Sequence, residues 1–101
     1  MPLVDVARAA DLPPGQVIEV FVGGRPYAIC NLEGAFYALD GACIHHGGPL
    51  GQGRLDGAHL VCPYHLWAFD CRTGQYDRDP AHRVASYPVQ VRDGQIFIEV
   101  P

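Results

Sequence analysis

With 101 residues the chain has room for one small domain, and at 49% hydrophobic and 18% charged residues it is too apolar to stay disordered. A net charge of −4 argues against nucleic acid as the main partner, and all seven basic residues are Arg, which excludes Schiff-base chemistry and a phosphate-loop lysine. No apolar run approaches the roughly 20 residues of a membrane span and no signal peptide opens the chain, so a cytoplasmic protein without membrane contact is expected.

Along the chain, Ala9 to Gly15 (AADLPPG) predicts a brief helical turn and a stop. Strands expected over Val17 to Val22 and Arg25 to Asn31 flank Gly23-Gly24, a two-residue hairpin signal. Glu33-Gly34 separates the second of these from a short strand at Ala35 to Leu39. Near the end, strands expected over Val84 to Arg92 and Gln95 to Val100 flank Asp93-Gly94, a further hairpin in which Ile96, Ile98 and Val100 share one face. No helix-period stretch exceeds about two turns. The expected fold is all-β, a small antiparallel sandwich or barrel, forming one domain over residues 1–101.

The middle of the chain reads differently. Cys43-Ile-His45 is followed, after sixteen intervening residues, by Cys62-Pro-Tyr-His65. Two thiolates and two imidazoles in matched pairs suit iron or zinc, each pair on a tight loop. Gly47, Gly48, Pro49 and Pro63 bend the backbone so that amides can face inward and donate to sulfur. Structural zinc pairs usually space their cysteines by about two to four residues, so the one-residue gap at Cys43-x-His45 favours iron over a zinc-stabilised interaction domain.

Cys43-x-His45 with Cys62-Pro63-x-His65 resembles the signature of Rieske-type iron–sulfur proteins. Phe69-Asp70, Thr73-Gly74 and Tyr87-Pro88-Val89 match positions that follow the second pair in small Rieske ferredoxins, so the resemblance covers residues 35 to 100. It implies a β-sandwich or barrel bearing a two-loop cluster-binding subdomain at about 41–80 and one [2Fe–2S] cluster per chain. Cys43 and Cys62 would hold one iron, and His45 and His65 the other. Leu66 departs from the family, which often has Gly after the second His; Leu66-Trp67 resembles the ferredoxins that serve diiron aromatic monooxygenases. High-potential members carry hydroxyl donors at the positions of Trp67 and Phe69, and a loop-bridging disulfide at the positions of Gly48 and Tyr64. Phe69 cannot donate at all and neither Gly48 nor Tyr64 is Cys, so with fewer donors to the reduced cluster the resemblance implies a low-potential centre.

With every iron position taken by protein or sulfide, and no room for a catalytic domain, the resemblance implies a one-electron carrier and not an enzyme. Its implied partners are a flavin-containing ferredoxin reductase and a terminal oxygenase, met by a monomer. The alternative is a small Rieske subunit of a larger reductase, such as a nitrite reductase. Docking is expected over the cluster tip, with His46, Leu66 and Pro80 as contacts and the acidic balance steering toward basic sites. Trp67 is expected to shield the cluster from water. Cys30 reads as a buried structural thiol and Cys71 as either buried or exposed, without a disulfide between them. His59 and His82 read as surface residues, and Asp70 and Asp77 as turn residues.

Overall fold

The computed structural model describes residues 2–44, 47–64 and 66–101. The chain opens with β1 (Leu3–Arg8), β2 (Val17–Val22), β3 (Arg25–Leu32) and β4 (Ala35–Asp40). Five short strands follow: β5 (Arg54–Asp56), β6 (His59–Val61), β7 (Ala68–Asp70), β8 (Gln75–Tyr76) and β9 (Asp79–Arg83). It closes with β10 (Ser86–Tyr87), β11 (Val89–Arg92) and β12 (Gln95–Glu99). A 3-10 turn at Ala9–Asp11 sits where the sequence predicts a helical turn, and a second spans Leu50–Gln52. Among the described residues, no helix is long and apolar enough to cross a membrane.

Turn chemistry sets the hairpins. Gly23-Gly24, Glu33-Gly34 and Asp93-Gly94 all have positive φ at both positions, the geometry that matches the twist of two-residue hairpins. Register follows directly, with Val22 opposite Arg25, Leu32 opposite Ala35 and Arg92 opposite Gln95.

The expected strand from Val84 to Arg92 is in fact two. Val84 is buried outside any strand, β10 pairs with β4, and β11 pairs with β12. Pro88 separates β10 from β11. Lacking an N–H for a ladder, it marks the point where the chain passes from one sheet to another.

All pairings are antiparallel, and they form three sheets. β1, β12 and β11 make one, β10, β4, β3 and β2 the second, and β5 through β9 the third. The second is the central layer, and its alternating side chains feed two cores. Tyr27 and Ile29 of β3 and Ala38 of β4 pack with Ile96 and Ile98 of β12. Ala28 and Cys30 of β3 and Leu39 of β4 pack on the other side with Leu60, Cys62, Phe69 and Val84. Burial on both faces explains why Tyr27 to Cys30 is an unbroken apolar run instead of an alternating one.

Asn31, the buried polar residue at the end of this run, ties the layer to its neighbours. Its Nδ2 donates to the Leu12 carbonyl at 2.7 Å, and its Oδ1 accepts from Gly34 N–H at 2.7 Å. The excursion that forms the third sheet leaves and re-enters beside itself, because Leu39 of β4 pairs with Ser86 of β10. The first and last strands also pair, with Leu3 opposite Glu99.

Candidate metal centre

Two loops reach from the ends of these sheets. The first runs from Gly41 to Leu50 after β4, and hydrogen bonds close it at both levels. Leu50 N–H donates to the Gly41 carbonyl at 2.9 Å, Cys43 N–H to Gly48 at 2.8 Å, and Gly47 N–H back to Cys43 at 3.0 Å. The second runs between β6 and β7, where Cys62 N–H donates to the Trp67 carbonyl at 2.7 Å. The sequence reading expects inward amides that donate to sulfur. The amides of Cys43, Gly47 and Cys62 donate to backbone carbonyls and shape the loops.

Both loops end in a buried thiol. Cys43 and Cys62 are buried in one core cluster, and neither forms a disulfide. The loops touch at Gly48: a Cβ built there would lie 2.7 Å from Cys62 Sγ and 3.1 Å from the Tyr64 ring. A side chain at Gly48 therefore has no place while the loops stay together. Gly48 and Tyr64 are the positions at which the resemblance puts the disulfide of high-potential Rieske proteins, and the structure does bring them together. His45, His46 and His65 lie outside the described residues. The donor set, two buried unoxidised thiols on abutting loops with a histidine two or three residues beyond each in sequence, fits an iron–sulfur group held between the loops.

Leu66 has φ +60° and is 64% exposed. A left-handed backbone is costly for a leucine, which gives a physical reason for the Gly that the Rieske-type proteins it resembles often have here. Leu66→Gly is therefore expected to raise stability by about 0.5 kcal/mol, the left-handed strain relieved less the entropy glycine adds to the unfolded chain. Thermal or urea unfolding checks this, and a loss of stability would show the strain to be small.

Aromatic residues wall the second loop. Trp67 stacks on Tyr76 with centroids 4.1 Å apart and planes within 6°, and Tyr76 in turn meets the buried Phe69 at 5.7 Å. Trp67 is half-buried against the core that contains both candidate thiols, consistent with the expected shield. The Tyr76 stack was not foreseen, because β8 is two residues long and has no pattern of its own.

Cys30 and Cys71 are both fully buried in the same core and form no disulfide. They share a thiol hydrogen bond. That bond, and then burial, push the Cys30 thiol up, whereas the bond donated by Cys30 draws Cys71 down against its own burial.

The remaining residues are placed as follows. Asp70 is the expected turn residue, accepting from the Arg72 amide at 2.8 Å and pairing with its guanidinium at 3.2 Å. Partial burial works against its ionisation, but the Arg72 bonds outweigh it and hold the carboxyl below its usual range. His82 is exposed and lies 3.3 Å from Asp79. His59 is half-buried within β6. Pro80, an expected docking contact, is exposed on strand β9 at the edge of its sheet.

Comparison with known proteins adds the following. Residues 3–88 match the model of the Rieske [2Fe–2S] domain family. The chain is 32% identical over 98 residues to the ferredoxin component of the naphthalene 1,2-dioxygenase/salicylate 5-hydroxylase systems of a Ralstonia species, covering 96% of this chain and 94% of that protein. It is similar to a solved chain from the complex of reduced oxygenase and oxidised ferredoxin in carbazole 1,9a-dioxygenase, with TM-score 0.86 and 32% identity over 95% of this chain and 91% of that one. It also shares the fold of a putative NADH-dependent nitrite reductase small subunit from Mycobacterium tuberculosis, with TM-score 0.88 and 22% identity over 99% and 96% of the two chains.

Proposed function

The chain belongs to the Rieske [2Fe–2S] domain family, and on that premise we propose that it is a one-electron carrier, the ferredoxin component of a multicomponent oxygenase. Cys43 and Cys62 hold one iron and His45 and His65 the other, with one cluster per chain in a single domain over residues 1–101 whose cluster loops span about 41–80. The bound cluster supplies a site that takes and gives one electron. The observation that carries this reading is the pair of abutting loops, each with a buried cysteine that forms no disulfide, closed on each other at Gly48.

The chain's own residues do the rest. Backbone hydrogen bonds hold each thiol in place, so little need move when charge arrives. Trp67, Tyr76 and Phe69 keep water from one side of the centre. No open coordination position is left for a substrate, so the protein has no catalysis of its own. A flavin-containing ferredoxin reductase would deliver the electron and a terminal oxygenase collect it, with the carrier a cytoplasmic monomer. The alternative, a small subunit of a nitrite reductase, rests on a likeness at 22% identity that conveys the fold alone.

Anaerobic reconstitution with iron and sulfide should give a red-brown protein with a Rieske-type EPR signal on reduction. Its electrons should then pass to an oxygenase. Phe69 is fully buried and carries no hydroxyl to stabilise the reduced centre. The midpoint at pH 7 is therefore expected near the low end of the roughly −150 to +300 mV Rieske span. Spectroelectrochemistry checks it, and a midpoint well above zero would contradict the reading.

A further inference from the structure

Neither cluster loop carries a formal charge beyond its histidines: residues 41–53 and 57–69 contain no Asp, Glu or Arg. The protein's net charge of −4 therefore lies elsewhere, and it does not describe the face a redox partner meets. Beside exposed Leu66 opens a cleft of about 180 Å³, with Cys62 and Pro63 along one wall and Gln52 and Arg54 along another. Arg54 is exposed and makes no ion pair among the described residues. Gln52 is engaged elsewhere, donating to Glu19 Oε1 at 3.1 Å. On the other side of Leu66 lies a second cleft in which Asp77 and Arg78 offset each other in charge. Of the residues that line the two clefts, Arg54 thus carries the unbalanced charge; the Glu19 carboxylate that accepts from Gln52 lines neither.

The first cleft is too small for a cofactor or drug-sized ligand, which take about 300–1,000 Å³, but it suits a single side chain. We propose that this cleft anchors the terminal oxygenase by accepting one acidic side chain of that partner. The carboxylate would meet the Arg54 guanidinium, and the methylene stem would lie on Leu66 and Pro63. The inference rests on the carrier reading above, and it reverses the expectation from bulk charge: here the partner brings the negative group.

Steady-state reduction of the terminal oxygenases of the naphthalene and carbazole dioxygenase systems tests it with the reconstituted protein. Arg54→Glu should raise KM by about ten-fold, with the loss falling on KM and not on kcat, since attraction is replaced by repulsion. Arg54→Lys should restore most of the affinity. Arg92→Glu, the same charge change on β11, should have little effect, and added salt should weaken the wild-type interaction. A second arm needs no partner: hexacyanoferrate(III) and hexaammineruthenium(III) are small anionic and cationic electron acceptors. Arg54→Glu should slow reduction of the first relative to the second. Efficient reduction of an oxygenase that is indifferent to Arg54 and to salt, or an unchanged acceptor ratio, would overturn the docking site alone. Failure of the wild-type protein to reduce any oxygenase, with both small acceptors still reduced, would overturn the carrier reading instead.

Discussion

Cys62→Ser should remove the visible absorption and EPR signal of the iron–sulfur centre and lower thermal stability sharply. Serine offers a harder, less readily ionised ligand, and a metal that holds two loops together contributes on the order of 10 kcal/mol to folding in the best-studied zinc cases. The informative control is Cys71→Ser. Cys30, Cys43, Cys62 and Cys71 all lie buried in one core cluster, so burial alone does not tell ligands from bystanders. Position does: Cys43 and Cys62 sit on the abutting loops, whereas Cys71 lies just past β7 and bonds to Cys30. Cys71→Ser should cost about 1–2 kcal/mol, the scale for a polar atom placed in an apolar site, and leave the spectrum intact. Loss of the cluster in Cys71→Ser but not in Cys62→Ser would invert the ligand assignment.

Gly48→Ala is the second large effect expected, from one added methyl group. The new Cβ would stand 2.7 Å from Cys62 Sγ, inside any real contact distance, and 3.1 Å from the Tyr64 ring. The ring is half-exposed and can swing away; the sulfur, fully buried, has no such freedom. Relief therefore requires the loops to part, at about 2–3 kcal/mol of overpacking, or roughly 10 °C or more in melting temperature for a domain of this size. Cluster occupancy should fall with it. Gly47→Ala next door provides the contrast. Gly47 has φ +66° but nothing within 4 Å of its would-be Cβ, so only backbone strain of about 1 kcal/mol is expected, with the cluster retained. Iron content and unfolding curves of the two variants separate steric closure of the loops from ordinary glycine strain. Equal effects in both would remove Gly48 from its role.

How far the sequence revealed this molecule depended on whether the cause was local. The hairpins at Gly23-Gly24 and Asp93-Gly94 were legible because the turn residues alone dictate the geometry, whereas Glu33-Gly34 was legible only as a break between strands. The 3-10 turn at Ala9–Asp11 was legible for a similar reason. β1 was not: Leu3 to Arg8 is short, carries two charged residues, and becomes a strand by pairing with β12 at the other end of the chain. β5 to β9 are two to five residues each, and β9 reads Asp-Pro-Ala-His-Arg, a strand only because β8 lies beside it. The single strand expected over Val84 to Arg92 overlooked Pro88 as a crossing point between sheets.

For the site, spacing singled out Cys43 and Cys62, and the structure places both of them buried on abutting loops. Gly48 was read as a turn residue, but its stricter demand is contact with the other loop, which no local pattern records. Leu66 looked like a departure from the family, and its left-handed backbone supplies the physical meaning of that departure. The Arg54 cleft went unread because no hairpin was expected over residues 54–61. Its walls come from the open end of the β5–β6 hairpin, where Arg54 stands opposite Val61, and from the loop that follows β6.

The pairing of Leu39 with Ser86 has an evolutionary and practical side. Asp40 N–H reaches the Ala85 carbonyl at 2.8 Å, so the excursion over residues 41–85 begins and ends one strand spacing apart. Such an excursion can be cut out or transplanted between two antiparallel strands of another scaffold without opening a long new loop, the entropic step that defeats most grafts. The outer ends, Leu3 and Glu99, are equally close, so the whole unit could be spliced into a surface turn of a larger chain or circularly permuted. A redox centre built this way is portable cargo, carried by a frame that needs to supply little more than two neighbouring strand ends.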